Sequence, residues 1–259
     1  MGWSFAALNW FAALAGALPA LVLMAYVDRV DARRPEPRRQ LRRVAVAGAL
    51  ATLVALFLEN FITPYFSEDS VAGALGLAFI ASALVEESAK ALCLYFVVWR
   101  HPAFDERLDG IVYATRAGLG FALAENIGYL LGTPGVASFF VVFWLRALLS
   151  VPGHAIYAGF MGYFAARRRF DGKGPGLWGG LGLAIVLHGG YNAALFVATV
   201  LSHQNDSTFI CLLPVPFLII GGGYLLLRGM AKKALALDDA QHGSQPHPRL
   251  PAGAGFLLR

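Results

Sequence analysis

Long apolar stretches alternate with short polar ones along nearly the whole chain. Apolar runs fall at roughly 3–27, 44–65, 71–99, 108–132, 138–166, 177–201 and 208–228. Each exceeds the window of about 19 residues used to detect a membrane span, and the apolar content is continuous instead of alternating with a period of two. The segments between them are turn-rich or charged: DRVDARRPEPRR, TPYFSEDS, RHPAFDERLD, GTPG, RRRFDGKGPG and SHQNDS. This pattern predicts an all-α, polytopic membrane helix bundle of about seven transmembrane helices over 1–228, with its functional core at about 71–201. Residues 229–259 are polar and read as a disordered cytoplasmic tail. The run at 3–27 has no basic segment before it and reads as a first span, not a cleaved signal.

Composition agrees. Hydrophobic residues make up 58% of the 259 and charged residues 14%, with a mean hydropathy of +0.59. A soluble domain carries about 25% charged residues. Cys93 and Cys211 both lie in apolar runs, outside any CxxC or Cys/His cluster, which argues against a disulfide framework or a thiolate metal site.

The charge pattern gives an orientation. Of the 21 lysines and arginines, 18 lie in the first, third and fifth connections and the C-terminal region, and three lie within spans. The second, fourth and sixth connections hold none. Basic residues stay on the cytoplasmic side. The expected arrangement in a bacterial cytoplasmic membrane is therefore N-terminus outside and C-terminus cytoplasmic. The net charge of +5 is a topology signal that can also touch anionic lipid, with no call for nucleic acid.

Several residues do not belong in lipid. Glu86, Glu87 and Lys90 fall in the third span, Arg116 and Glu125 in the fourth, Arg146 and His154 in the fifth, and His188 in the sixth. An ionisable group at a helix centre costs about 2.5–3.5 kcal/mol on insertion scales, so such groups face one another or a wet cavity. Lys90 is three and four residues from the glutamates and can pair with either, and His188 and Asn192 share a face by their i,i+4 spacing. Pro152 and Gly153 precede His154 and are expected to distort the helix beside a cavity.

This set fits peptide hydrolysis without a serine or cysteine nucleophile. Glu86 or Glu87 can serve as general base toward water, and its neighbour can hold a proton for the leaving amine. A histidine and Asn192 can stabilise an oxyanion. Alternatively, His154, His188 and Glu125 can bind Zn2+ with one open position. An ion- or proton-coupled transporter also uses Glu/His chains. Transporters, however, are commonly built from repeated halves, and no repeat partner is visible here. A catalytically silent scaffold would not need the intact glutamate pair and both histidines.

The motifs EESAK at 86–90, FALAEN at 121–126, PGHA around His154 and HGGYN at 188–192 stand in the order found in PrsW-family intramembrane proteases. That family is related to the CAAX-protease and bacteriocin-processing group. The resemblance covers about 84–193. It implies an intramembrane endopeptidase in which Glu86 and Glu87 are the catalytic glutamate pair and Glu125, His154 and His188 complete the polar site. Asn192 matches the HxxxN position of the related proteases, which carry His where this chain has Glu125. The implied partner is a membrane-protein substrate, such as a single-span anti-sigma factor, in the lipid bilayer.

Overall fold

The computed structural model describes residues 5–242, with side chains described over 10–241. Helix α1 spans Phe5–Val30, α2 Arg38–Ile62, α3 Val71–Val98, α4 Arg107–Gly132, α5 Val136–Asp171, α6 Gly176–His203 and α7 Val215–His242. Short 3-10 turns at Thr63–Tyr65 and Ser207–Leu212 complete the elements among the described residues, where no strand occurs. Seven helices match the seven apolar runs. Six pass through segments long and apolar enough to cross a membrane. The other is α4, which carries Arg107, Asp109, Arg116 and Glu125 and packs against α1, α2 and α5. Its polarity is tolerated because other helices, instead of lipid, surround it.

Close approach of backbones makes that central position possible. A Cβ at Gly118 of α4 would sit 2.5 Å from the His154 carbonyl of α5, and one at Gly162 would sit 1.9 Å from the Gly110 carbonyl. Small residues allow such crossings where apolar burial alone gives little drive for helix association. The same contact fixes the height of His154 against α4.

Two helices change pitch at the functional segments. In α3, π-helical turns at Leu77–Leu84 and Leu94–Val98 flank the α-helical Val85–Cys93, which holds both glutamates and Lys90. In α5, a π-helical turn at Arg146–Ser150 precedes Pro152. A wide turn accommodates the ring and the missing N–H of a proline, and such turns recur at functional sites. The expected distortion before His154 thus takes this form, and the helix continues through it.

The boundary expected at 228 lies further on. Helix α7 runs unbroken to His242, with Ala231, Ala234, Leu235 and Asp238 buried. Asp238 caps α4 from outside: its Oδ1 accepts from the Arg107 N–H at 3.1 Å and its Oδ2 from the Leu108 N–H at 3.0 Å. It also pairs with the Arg107 guanidinium at 2.9 Å. These orphan donors at the start of α4 would otherwise need water. The remainder of the expected tail, 243–259, lies outside the described residues.

Arg116 is directed away from Glu125. It pairs with Asp28 at the end of α1 and reaches the Met24 carbonyl, on the side of the arginine-rich first connection.

Candidate active site

Four helices bring the intramembrane polar residues together. Glu86, Glu87 and Lys90 come from α3, Glu125 from α4, His154 from α5 and His188 from α6, and all but Glu125 are at least nine-tenths buried. Glu86, Glu125, His154, His188 and Asn192 line a cavity of about 650 Å³. Glu87 and Lys90 lie behind that wall, each with no exposed surface.

Lys90 is the hub. Its ammonium donates to Glu87 Oε1 and to His154 Nδ1, each at 2.7 Å, and lies 3.4 Å from Glu86 Oε2. It also stands 4.2 Å from the centre of the Phe121 ring. The expected pairing of Lys90 with either glutamate is realised with both, and the charge between them offsets their mutual repulsion. Its bond to His154 was not readable from spacing, because the two residues are 64 apart.

These bonds assign the imidazole protons. His154 Nδ1 accepts from an ammonium, so its Nε2–H donates, and Glu125 Oε2 lies 2.9 Å away to accept it. Glu125 Oε2 also accepts from Arg146 at 2.6 Å, and Arg146 Nε donates to Asn126 Oδ1 at 2.8 Å. Arg146 therefore holds the acid that orients a candidate catalytic histidine. On the other side, His188 Nδ1–H donates to Glu87 Oε1 at 2.8 Å, which leaves Nε2 with a free lone pair. Tyr157 stacks on the His188 ring at 5.2 Å and 20°.

Glu86 is held differently. The Ser82 hydroxyl donates to its Oε1 at 2.9 Å, and Asn192 Nδ2 donates to Ser82 Oγ at 2.8 Å. Asn192 thus reaches the site through Ser82. Sequence reasoning passed over Ser82, although its i,i+4 position before Glu86 was a usable signal. Glu59 of α2 also lines the cavity and was not singled out.

The donor set suits a metal ion. One ligand atom each from Glu86, Glu87, His154 and His188 lie within 4.8 Å of one another. Glu87 Oε2 is buried with no hydrogen-bond partner, so a donor is left over. Glu125 and Glu87 each fix an imidazole through its second nitrogen, the support that metal-binding histidines require. Glu125, expected as a third ligand beside the histidines, stands outside this group of four and supports His154 from behind. The Lys90 ammonium now bonds to three of the four, so an ion entering the set would take over those contacts.

A family model described as "PrsW family intramembrane metalloprotease" matches residues 36–220. The chain is 36% identical over 180 residues to the Protease PrsW of Geobacillus kaustophilus, covering 69% of this chain and 76% of that one. It is 36% identical over 208 residues to the Protease PrsW of Oceanobacillus iheyensis, covering 80% and 88%. With the Protease PrsW of Bacillus subtilis it shares 35% over 192 residues, covering 73% and 83%. No solved structure matches the chain.

Proposed function

The chain belongs to the PrsW family of intramembrane metalloproteases, and from that premise we propose that it hydrolyses a peptide bond of a membrane-spanning substrate at the Glu86–His154–His188 chamber. The observation that carries this reading is the convergence of one carboxylate and two imidazoles from three helices on the wall of a single cavity.

The two glutamates divide the work by position. Glu86 lines the cavity and acts as general base toward water. The water oxygen bonds to the scissile carbonyl carbon as its proton passes to Glu86. The C–N bond then breaks, and the same proton passes to the leaving nitrogen. Glu87, sealed behind the wall, positions His188 through the bond to Nδ1. Asn192 faces the cavity and holds Ser82, which keeps Glu86 in place.

The ligands we assign to the ion are His154, His188 and Glu87, whose Oε2 is buried without a hydrogen-bond partner, which leaves Glu86 free as the base. The ion we assign is Zn2+, whose catalytic sites commonly pair two histidines with a glutamate. Bound there, it supplies Lewis-acid polarisation of the carbonyl and acidifies water.

The substrate class is a single-span membrane protein such as an anti-sigma factor. The chamber supports cleavage toward the extracytoplasmic side. Its lining includes Glu59 and Thr63 at the end of α2, Ala74 near the start of α3 and Thr199 near the end of α6, away from the arginine-rich connections. With the basic connections held in the cytoplasm, this reading has the N-terminus outside, as the charge pattern predicts.

The test is reconstitution of the purified protein with a single-span substrate in proteoliposomes. Wild type should release two fragments, and Glu86→Gln and His188→Ala should release none. Chelation should stop cleavage, and added Zn2+ should restore it. Equal cutting by wild type and Glu86→Gln would refute the assignment.

A further inference from the structure

The chamber holds one acid that the hydrolytic scheme does not use. Glu59 lies on the face of α2 that also presents Thr52, Leu56 and Thr63 to the cavity. Those positions recur at helical spacing, so they form one stripe along the wall. Glu59 Oε1 is buried without a hydrogen-bond partner, and Glu59 has no ion-pair partner among the described residues. Of the other acids that line the chamber, Glu86 pairs with Lys90 and Glu125 with Arg146, while Glu68 is exposed to solvent. Glu59 is close enough to feel the charges of Glu86, Glu125 and Lys90. It lies three residues from the end of α2. A second, more open pocket of about 400 Å³ shares Leu56, Glu59, Thr63 and Glu68 with the chamber, which puts Glu59 at the neck between them.

We propose that Glu59 is a specificity residue that receives a lysine or arginine side chain of the substrate, within a few residues of the scissile bond. This deepens the hydrolase reading and rests on it. A half-buried carboxylate with no cation in its own protein is costly, and a cationic side chain that reaches it removes that cost. Leu56, one turn away, offers an apolar surface for the methylene stem of such a side chain, while the charged head meets the carboxylate. Electrostatic matching of this kind selects among partners more than it adds raw affinity. A single span offers many apolar residues and few charged ones, so one basic residue can set the position of the cut.

The experiment uses the full chain in proteoliposomes with a set of single-span substrates. Each carries one arginine at a different position around the cleavage site, or glutamine at the same position. Wild type should prefer arginine at one position by about tenfold to a hundredfold in kcat/KM, the range expected for a charge-assisted hydrogen bond. Glu59→Gln should bring that ratio close to one. Glu59→Lys should reverse it, cutting a substrate with glutamate at that position better than one with arginine, a gain that misfolding cannot produce. A ratio unchanged in Glu59→Gln, or an equal slowing of all substrates, overturns the selectivity alone. Cleavage that does not depend on Glu86 overturns the hydrolase assignment, and the selectivity falls with it.

Discussion

Replacing Lys90 by methionine removes the cation on which the buried site is built. The side chain has no exposed surface and bonds to Glu87 and His154 at 2.7 Å each, with Glu86 at 3.4 Å. Methionine keeps the length and loses the charge, leaving adjacent carboxylates buried against each other. Breaking a buried pair in this way costs about 3–5 kcal/mol, most of it from the charge left behind. For a chain of this size that corresponds to a loss on the order of 10 °C in Tm. The same change frees the donor set for a divalent ion. Zn2+ at a hundredfold excess over its Kd should return about 3 kcal/mol to Lys90→Met. It should return less to wild type, where the ammonium must first be displaced. The assay is thermal unfolding of both proteins in detergent, with chelator and with a Zn2+ titration. A Lys90→Met protein as stable as wild type in chelator would refute the ion-pair reasoning. A Zn2+-induced shift no larger than that of wild type would refute the competition between ammonium and metal.

Other perturbations separate the supporting parts. Glu125→Gln keeps an acceptor for His154 Nε2–H and loses the charge beside Arg146, so metal affinity should fall about 10- to 100-fold, read by competition with a chelating dye. Gly118→Val sets a branched side chain where even a Cβ would lie 2.5 Å from the His154 carbonyl. It should cost about 1–3 kcal/mol or more and lower cleavage by moving His154, checked by unfolding and activity on the same preparation. Glu36, in the connection between α1 and α2, accepts from Tyr113, and burial pushes its carboxyl from an ordinary value near 4.5 up to about 7. The folded state therefore holds this proton more tightly than the unfolded state, and the stability it contributes is full below pH 4.5 and lost as pH rises through about 7. Glu36→Gln should remove up to about 3 kcal/mol of that dependence, seen as a flatter plot of stability against pH between 4.5 and 7.

The spans and the clustering of the intramembrane polar residues were legible because both rest on local signals. Apolar runs longer than a bilayer crossing mark helices, and ionisable residues inside them mark a shared interior. Glu86, Glu87, His154 and His188 could be chosen on those grounds alone. What stayed hidden depends on partners distant in sequence. Arg146 looks like a stray charge until it meets Glu125 and Asn126, and Glu125 looks like a ligand until His154 turns its other nitrogen toward Lys90. Asp238 sits in a polar stretch that reads as a tail, yet two backbone donors at the start of α4 require it, and that requirement keeps α7 helical past 228. Glu59 lies near the end of its span, where an acid passes as an interfacial residue. Only the position of α3 and α6 across the chamber shows that it faces inward.

X-ray absorption at the zinc edge of the reconstituted protein addresses the convergence itself. Two imidazoles should appear among light oxygen and nitrogen neighbours at about 2.0–2.2 Å, without sulfur, and His154→Ala and His188→Ala should each remove one. A wild-type spectrum lacking imidazole, or one that neither substitution alters, would contradict the meeting of these helices around a single ion.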